Sequence, residues 1–370
     1  MKLKLYKIEF IARATLVLAL LMFAGIGFNG YKDIDKRFFV VSMGVDEGKN
    51  GFLYEVTLKL ALPQADPKAA KNEFLLLKQE SDSIGAAVAF MKSQVDKEFD
   101  FGHMKMIFIG ESLAKRNWRT TMDWFFRRRD IQKIAYVAVA RPDAATMLAV
   151  KPMFEKQPSS SFFVAFGDEG TETPYLVTEY LFDLHRRLHE RGIDPVVPIV
   201  EPFEKQFDIQ KAYVISSRGA TLALDPQETG LYSMLLNRSE RATLSVQRGR
   251  EGFSVTADEI KLDHTTKYGA KPSVTVTGTI LGTLEVAGET VEPKELGKFE
   301  AALEKQTNED MIALLKKLQK ADVDPFGFGL HYRATHYNNG TEWDDWRKVY
   351  PKLEFKSDIR VILETTGVIE

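Results

Sequence analysis

Phe38-Phe39-Val40-Val41-Ser42-Met43-Gly44-Val45 runs into Asp46-Glu47-Gly48-Lys49-Asn50-Gly51 and, two residues on, into Tyr54-Glu55-Val56-Thr57-Leu58-Lys59-Leu60. The first segment is a continuous apolar run, as in a buried strand. The second is a cluster of turn residues. In the third, Tyr54, Val56, Leu58 and Leu60 alternate with Glu55, Thr57 and Lys59, the period of a strand with one wet face. Together they read as a β-hairpin, which makes the start of the folded part sheet-forming.

On its C-terminal side, strand and helix patterns alternate. Short strands are expected at Phe74–Leu77, Met106–Ile109 and Ile134–Ala140. Helical spacing covers Ser83–Lys97, Trp118–Arg129 and Ala144–Val150. Lys151–Thr173 reads as a connecting segment, and Thr173-Pro174 opens a helix that Gly192 closes after Arg191. Pro195, Pro198 and Pro202 mark an extended connector, with a boundary near Glu204. Beyond it, strands at Ala212–Ser216, Ala242–Val246, Phe253–Ile260, Val274–Val286 and Ile359–Leu363 surround helices at Gln227–Leu236 and Glu295–Lys320. Asp324-Pro325 breaks the longer helix. The expectation is an α+β chain: a multi-domain mixed α/β ectodomain with antiparallel-rich sheets, divided as 30–204 and 205–370.

On its N-terminal side, Lys2, Lys4, Lys7 and Arg13 precede an apolar run whose members include Ala14, Leu16, Val17, Leu18, Leu20, Leu21, Met22, Phe23, Ile26 and Phe28. A cationic flank before an apolar run reads as an export signal with the chain start in the cytoplasm. The run covers roughly 22 Å against a hydrocarbon core of about 30 Å. It spans if Phe10, Ile11 and Ala12 join it and Arg13 snorkels. Otherwise residues 1–29 are a cleaved signal, with Gly25 and Gly27 at the cleavage site.

Composition excludes several functions. The 50 Lys and Arg residues balance 52 Asp and Glu residues, so no field draws the chain to nucleic acid. Without cysteine there is no thiolate nucleophile, thiolate metal site or disulfide framework. Nucleophile-elbow, zinc-helix and phosphate-loop motifs are missing. His185 and His189 are four apart, a spacing that suits a metal, but Arg186, Arg187 and Arg191 surround them. Gly327-Phe328-Gly329 follows a helix instead of a strand and has Tyr332 where a dinucleotide fingerprint needs glycine. The basic run Arg127-Arg128-Arg129 reads as a solvated helix end. Asp344 and Asp345, between Trp343 and Trp346, are adjacent and so do not face each other as a catalytic pair. No catalytic residue, metal site or cofactor is expected.

Three motifs in order carry a resemblance. Lys32-Asp33-Ile34-Asp35 leads into the strand ending Gly44-Val45-Asp46. His103-Met104-Lys105 opens a strand ending at Gly110-Glu111, with Arg127-Arg128-Arg129-Asp130-Ile131 beyond it. A long Lys-rich helix precedes Asp324-Pro325-Phe326-Gly327-Phe328-Gly329, then Trp346 and a last strand. From Lys32 to its end the chain resembles the Ger(x)C family, the C subunits of spore germinant receptors. The resemblance implies a non-enzymatic protein of the spore inner membrane, exposed on its outer side. Its partners would be integral-membrane A-type and B-type subunits and the membrane. The family's lipobox cysteine would fall at Phe28, so Ala14–Phe28 is expected to replace the lipid anchor. The competing expectations are an exported small-ligand-binding protein and a cell-envelope hydrolase.

Overall fold

This computed structural model describes residues 13–17, 36–62, 73–116, 118–152, 159–167, 173–216, 219–236, 241–248, 251–285, 293–337 and 340–364. Of the expected anchor, Ala14, Leu16 and Val17 are helical and exposed. Leu18, Leu20, Leu21, Met22, Phe23, Ile26 and Phe28 lie outside the described residues, as do Asp33 and Ile34. Among the described residues, no helix is long and apolar enough to cross a membrane.

The hairpin pairs β1 (Arg37–Glu47) with β2 (Tyr54–Ala61), joined in register from Glu47↔Tyr54. Asn50 (φ 55°) and Gly51 (φ 91°) make the turn. These strands open a nine-stranded sheet. β3 (Phe74–Ser81) pairs with β2 on the outside. On the other side of β1 follow β5 (Met106–Gly110), β6 (Tyr136–Ala140), β7 (Val196–Phe203), β8 (Gln206–Ser216) and β9 (Gly219–Leu224). The short β4 (Glu98–Asp100) also pairs with the start of β1. The β1–β5–β6–β7 centre is parallel and both flanks are antiparallel.

Period-2 alternation on β5 and β6 sends side chains to two cores. Ile107, Ile109, Val137 and Val139 join α1 (Ile84–Lys92), α3 (Trp118–Arg127) and α6 (Leu181–His189), whereas α2 (Glu111–Ala114) follows directly on β5. Met106, Phe108, Ala138 and Ala140 face α4 (Ala144–Ala149) and α5 (Ser160–Phe166). The expected wet face of β2 is therefore covered: Thr57 and Lys59 are fully buried. Lys59 Nζ donates to the Val150 carbonyl (3.4 Å) and lies 4.1 Å from the Phe74 ring centroid.

Two other expectations change. Leu176–Tyr180 is not helical. Instead Glu179 O accepts from Val137 N, and Leu181 N donates to Ala135 O, so this stretch lies along the sheet before α6 begins. The proline-marked connector is strand β7. Its parallel pairing to β6 is confined to Ile199 and Val200, so Pro198 and Pro202 need not donate to that neighbour. The expected boundary at Glu204 falls on the turn of the β7–β8 hairpin, inside one sheet.

The second sheet has the order β10 (Ala242–Arg248), β11 (Glu251–Lys267), β12 (Ser273–Glu285), β13 (Glu354–Glu364). α7 (Pro226–Leu235), begun by an Asp225–Glu228 capping box, joins the two sheets. α8 (Leu296–Lys320) buries Leu303, Met311, Leu314, Leu315 and Leu318 in their shared core. That core also takes Val196, Val214 and Leu224 from the first sheet. Edge strand β13 is protected from α8: Glu300, Glu304 and Asn308, four apart, accept from the N–H groups of Leu363, Val361 and Ile359. α9 (Phe328–Thr335) and α10 (Glu342–Val349) precede β13.

Candidate functional site

The densest polar construction lies where the segment between α6 and β7 meets the break after α8. Asp324 is buried, and its carboxylate accepts three backbone N–H bonds: Gly327 (3.0 Å) and Phe328 (3.2 Å) on Oδ1, and Gly329 (2.7 Å) on Oδ2. These donors open α9, where a helix N-terminus has unsatisfied N–H groups and a favourable field for an anion. The chain supplies that anion itself. Pro325 and Phe326 turn the backbone back, and Gly327 takes φ 79°.

Asp194 completes the junction. Its Oδ2 accepts from Asp324 N (2.7 Å), and its own N–H donates to Asp324 O (2.9 Å). Next to it Gly192 O accepts from Leu330 N (2.8 Å). Gly192 has φ 91°, and a Cβ there would stand 2.5 Å from Gly329 C and Leu330 N. A Cβ on Gly329 would stand 2.4 Å from Trp346 Nε1. Trp346 is buried on α10, and Arg333 ties α9 to Glu190 and to the Arg191 carbonyl.

Burial is the main cause of the carboxyl shifts here. It raises Asp324 from 3.8 to about 7, with the Asp194 charge adding to it and the three N–H donors opposing it. Burial likewise raises Asp194 to about 6, opposed by the Asp324 N–H. A cavity of about 360 Å³ opens beside the pair, lined among others by Arg119, Arg187, Arg191, Trp343, Arg347 and Tyr350.

A second construction joins Gly44, Asp46 and Gly110. Asp46 accepts from Ala144 N (2.7 Å) and Ala145 N (2.9 Å), at the start of α4. Asp143 caps the same turn through Thr146 N. A Cβ on Gly110 would lie 2.0 Å from Asp46 Oδ1, and one on Gly44 2.8 Å from Ala144 Cβ. Burial raises the Asp46 pKa to about 6 against these two donors. Gly110→Ala and Asp46→Ala are each expected to destabilise by about 2 kcal/mol. The double variant should cost clearly less than the sum, because the added methyl acts by displacing the Asp46 carboxyl. Strictly additive urea unfolding energies would contradict this.

The other residues singled out from sequence are more dispersed. His103 and Lys105 stand where β5 begins: the His103 ring meets Phe39 edge-on, and Lys105 Nζ donates to Gln132 Oε1 (3.2 Å). His185 and His189 share one face of α6 with ring centroids 4.5 Å apart, and Phe126 packs on His185 at 4.4 Å. Among the described residues, no three metal-ligating side chains converge. Arg127 pairs with Asp123 and Arg128 with Asp130. Asp345 pairs with Lys348.

Sequence reasoning missed Asp194 and a network at the C-terminal ends of β5, β6 and β7, where open α/β sheets commonly bind ligands. Arg141 donates to Glu111 (2.8 Å) and Tyr213 (3.1 Å) and also pairs with Glu201, and Tyr213 donates to Glu111. Burial would raise the Glu111 carboxyl, but Arg141, Tyr213 and Lys115 outweigh it and hold the group at about 2. The one sequence signal was Glu111 directly after a strand-ending glycine.

The chain matches two family models. One is the spore germination protein N-terminal domain, over residues 30–202. The other is the spore germination B3/GerAC-like C-terminal domain, over residues 213–367. The chain belongs to the Ger(x)C family of spore germination proteins, and it has a role in spore germination. It is 18% identical over 282 residues to the spore germination protein GerQC of Bacillus cereus, covering 73% of this chain and 77% of that one. Its fold is similar to that in the crystal structure of the GerBC protein, with a TM-score of 0.56 and 19% identity. The match covers 87% of this chain and 96% of that one. The family is one of germinant receptor subunits and not a known enzyme family.

Proposed function

We propose that the protein is a non-enzymatic, membrane-anchored subunit of a nutrient germinant receptor, which docks on integral-membrane A-type and B-type subunits and supports them. The carrying observation is the Asp324 clasp. The glycine-lined helix start, a place suited to a ligand anion, holds the chain's own Asp324 carboxylate, and the Asp324 backbone exchanges hydrogen bonds with Asp194 across the junction. The polar groups at the strand ends are likewise spent on one another. Such a body offers surfaces and a rigid junction in place of reaction chemistry.

Ala14–Phe28, uncleaved, is the anchor, with the N-terminus in the cytoplasm and the body on the outer side of the spore inner membrane. Tethering raises the effective concentration for docking. Spores lacking this gene should lose the response to a subset of nutrients while growth stays normal. Unaltered germination in a strain stripped of its other receptors would end this reading.

The cavity beside Asp194 favours one second reading, a small ligand held between the sheets. Calorimetry of the full chain against amino acids and sugars separates the two, since tight binding would favour the second.

A further inference from the structure

The parallel strands β1, β5 and β6 begin at one rim of the large sheet, and that rim carries an exposed apolar surface. Ile134 is 56% exposed, Phe163 42%, Val164 50% and Phe182 49%. Phe163 and Phe182 are joined through the rings of Tyr136 and Tyr180. The Tyr136 ring lies 6.0 Å from Phe163 and 5.0 Å from Tyr180, which stacks 5.6 Å from Phe182. Phe182 N donates to Lys133 O, which places Phe182 beside Ile134. Isolated exposed apolar side chains are ordinary, but a joined aromatic surface marks a contact site.

One cation is set against these rings and a second lies nearby. Lys105 Nζ lies 5.2 Å from the Phe163 centroid and bonds an amide oxygen. Lys133 Nζ bonds the carbonyls of Phe125, Phe126 and Arg128. Neither bond involves a carboxylate. The nearby carboxylates are engaged, Asp100 with Arg37, Asp130 with Arg128, and Asp183 with Arg186 and Arg187.

The chain enters the fold at this same rim, through Arg37 at the start of β1. Phe28, the last residue of the apolar N-terminal run, is nine positions before Arg37. Fully extended, that link reaches at most about 32 Å. An anchored run therefore ties this rim to the lipid by the shortest path, since the chain leaves the fold here.

We propose that the Ile134–Phe163–Val164–Phe182 surface rests on the bilayer, its aromatics at headgroup depth and Lys105 against anionic lipid phosphates. The membrane would then hold the body in one orientation, with the β7–β8 turn pointing away. This rests on the reading of Ala14–Phe28 as a retained anchor.

The chain has no cysteine, so single-cysteine variants need no altered background. Phe163→Cys, Phe182→Cys, Leu20→Cys and Phe203→Cys, each in the full chain, would carry an environment-sensitive fluorophore. They would be placed in vesicles of mixed zwitterionic and anionic phospholipid. Labels at 163 and 182 should shift to the blue, be quenched by lipid-borne nitroxides and resist iodide. The label at 203, at the far end of β7, should behave as in water. If 20 reports lipid while 163 and 182 report water, the surface faces something else, such as a protein partner, and this proposal falls alone. If 20 also reports water, the anchor reading and the proposal fall together.

Discussion

Gly192→Ala is expected to open the junction between the two sheets and to destabilise the protein by about 3–5 kcal/mol. Two costs combine. Gly192 has φ 91°, in the left-handed region that side chains disfavour. The new methyl would also stand 2.5 Å from backbone atoms of Gly329 and Leu330, which cannot swing aside as a side-chain tip can. The Leu330 N–H to Gly192 O bond and the Asp194–Asp324 exchange lie beside it and should go together. In hydrogen exchange, the amides of Leu330, Asp194 and Asp324 should lose protection, while those of β5 and β6 keep theirs. A loss below about 1 kcal/mol, or uniform deprotection of both sheets, would contradict this account.

Asp324 is expected to contribute more stability in mild acid than at neutral pH. Its carboxyl is raised in the folded state, from 3.8 to about 7, chiefly by burial. Its contribution is therefore complete below about pH 4 and is lost as the pH rises through 7. The rise corresponds to about 4 kcal/mol across that window. Asp194, raised to about 6, acts in the same direction. The surrounding groups are Asp322, Tyr268, Tyr350 and Arg187, whose Nη1 donates to the Asp194 carbonyl (3.4 Å). Glu111, Asp100 and Asp183 are lowered and act in the opposite direction, so the comparison is between the protein and a variant.

Asp324→Asn keeps one oxygen for Gly327 and Phe328 but turns an amide toward Gly329 N–H. It should cost about 1–3 kcal/mol at pH 4.5 and remove the largest single part of the fall in stability between pH 4.5 and pH 7.5, the rest coming from Asp194 and Asp46. Urea unfolding at both pH values measures this. Equal pH slopes for the two proteins would refute it.

What could be read early depended on local order. Residues 38–60 announce β1 and β2 through an apolar run, a turn and an alternation. α8 shows its apolar stripe, and Asp324-Pro325 its end. These signals reside in neighbouring residues, so no knowledge of the fold was needed. The Glu300, Glu304 and Asn308 spacing was equally local, but nothing nearby indicated that its partner was a strand 51 to 63 residues on. The same holds for Asp194, whose partner Asp324 lies 130 residues away.

The errors share one cause. Lys59 alternates like a solvent residue and is buried because α4, far along the chain, covers that face of β2. Prolines 198 and 202 argue against a strand, yet β7 forms because its neighbours ask little of those positions. Thr173–Tyr180 has helical composition, but the edge of β6 offers it backbone partners at Val137 and Ala135.

The sequence by itself determined the mixed α/β character, the family, the cationic and apolar N-terminus and the absence of cysteine chemistry, since each depends on residue type and short-range spacing. The tertiary structure alone decided which carboxyl fills the glycine loop, which glycines permit backbones to touch, and which rim of the sheet gathers its exposed aromatics beside the chain's entry. Those outcomes come from groups brought together across long loops. Burial and close approach set their energies, and neither is a property of a residue before it is packed.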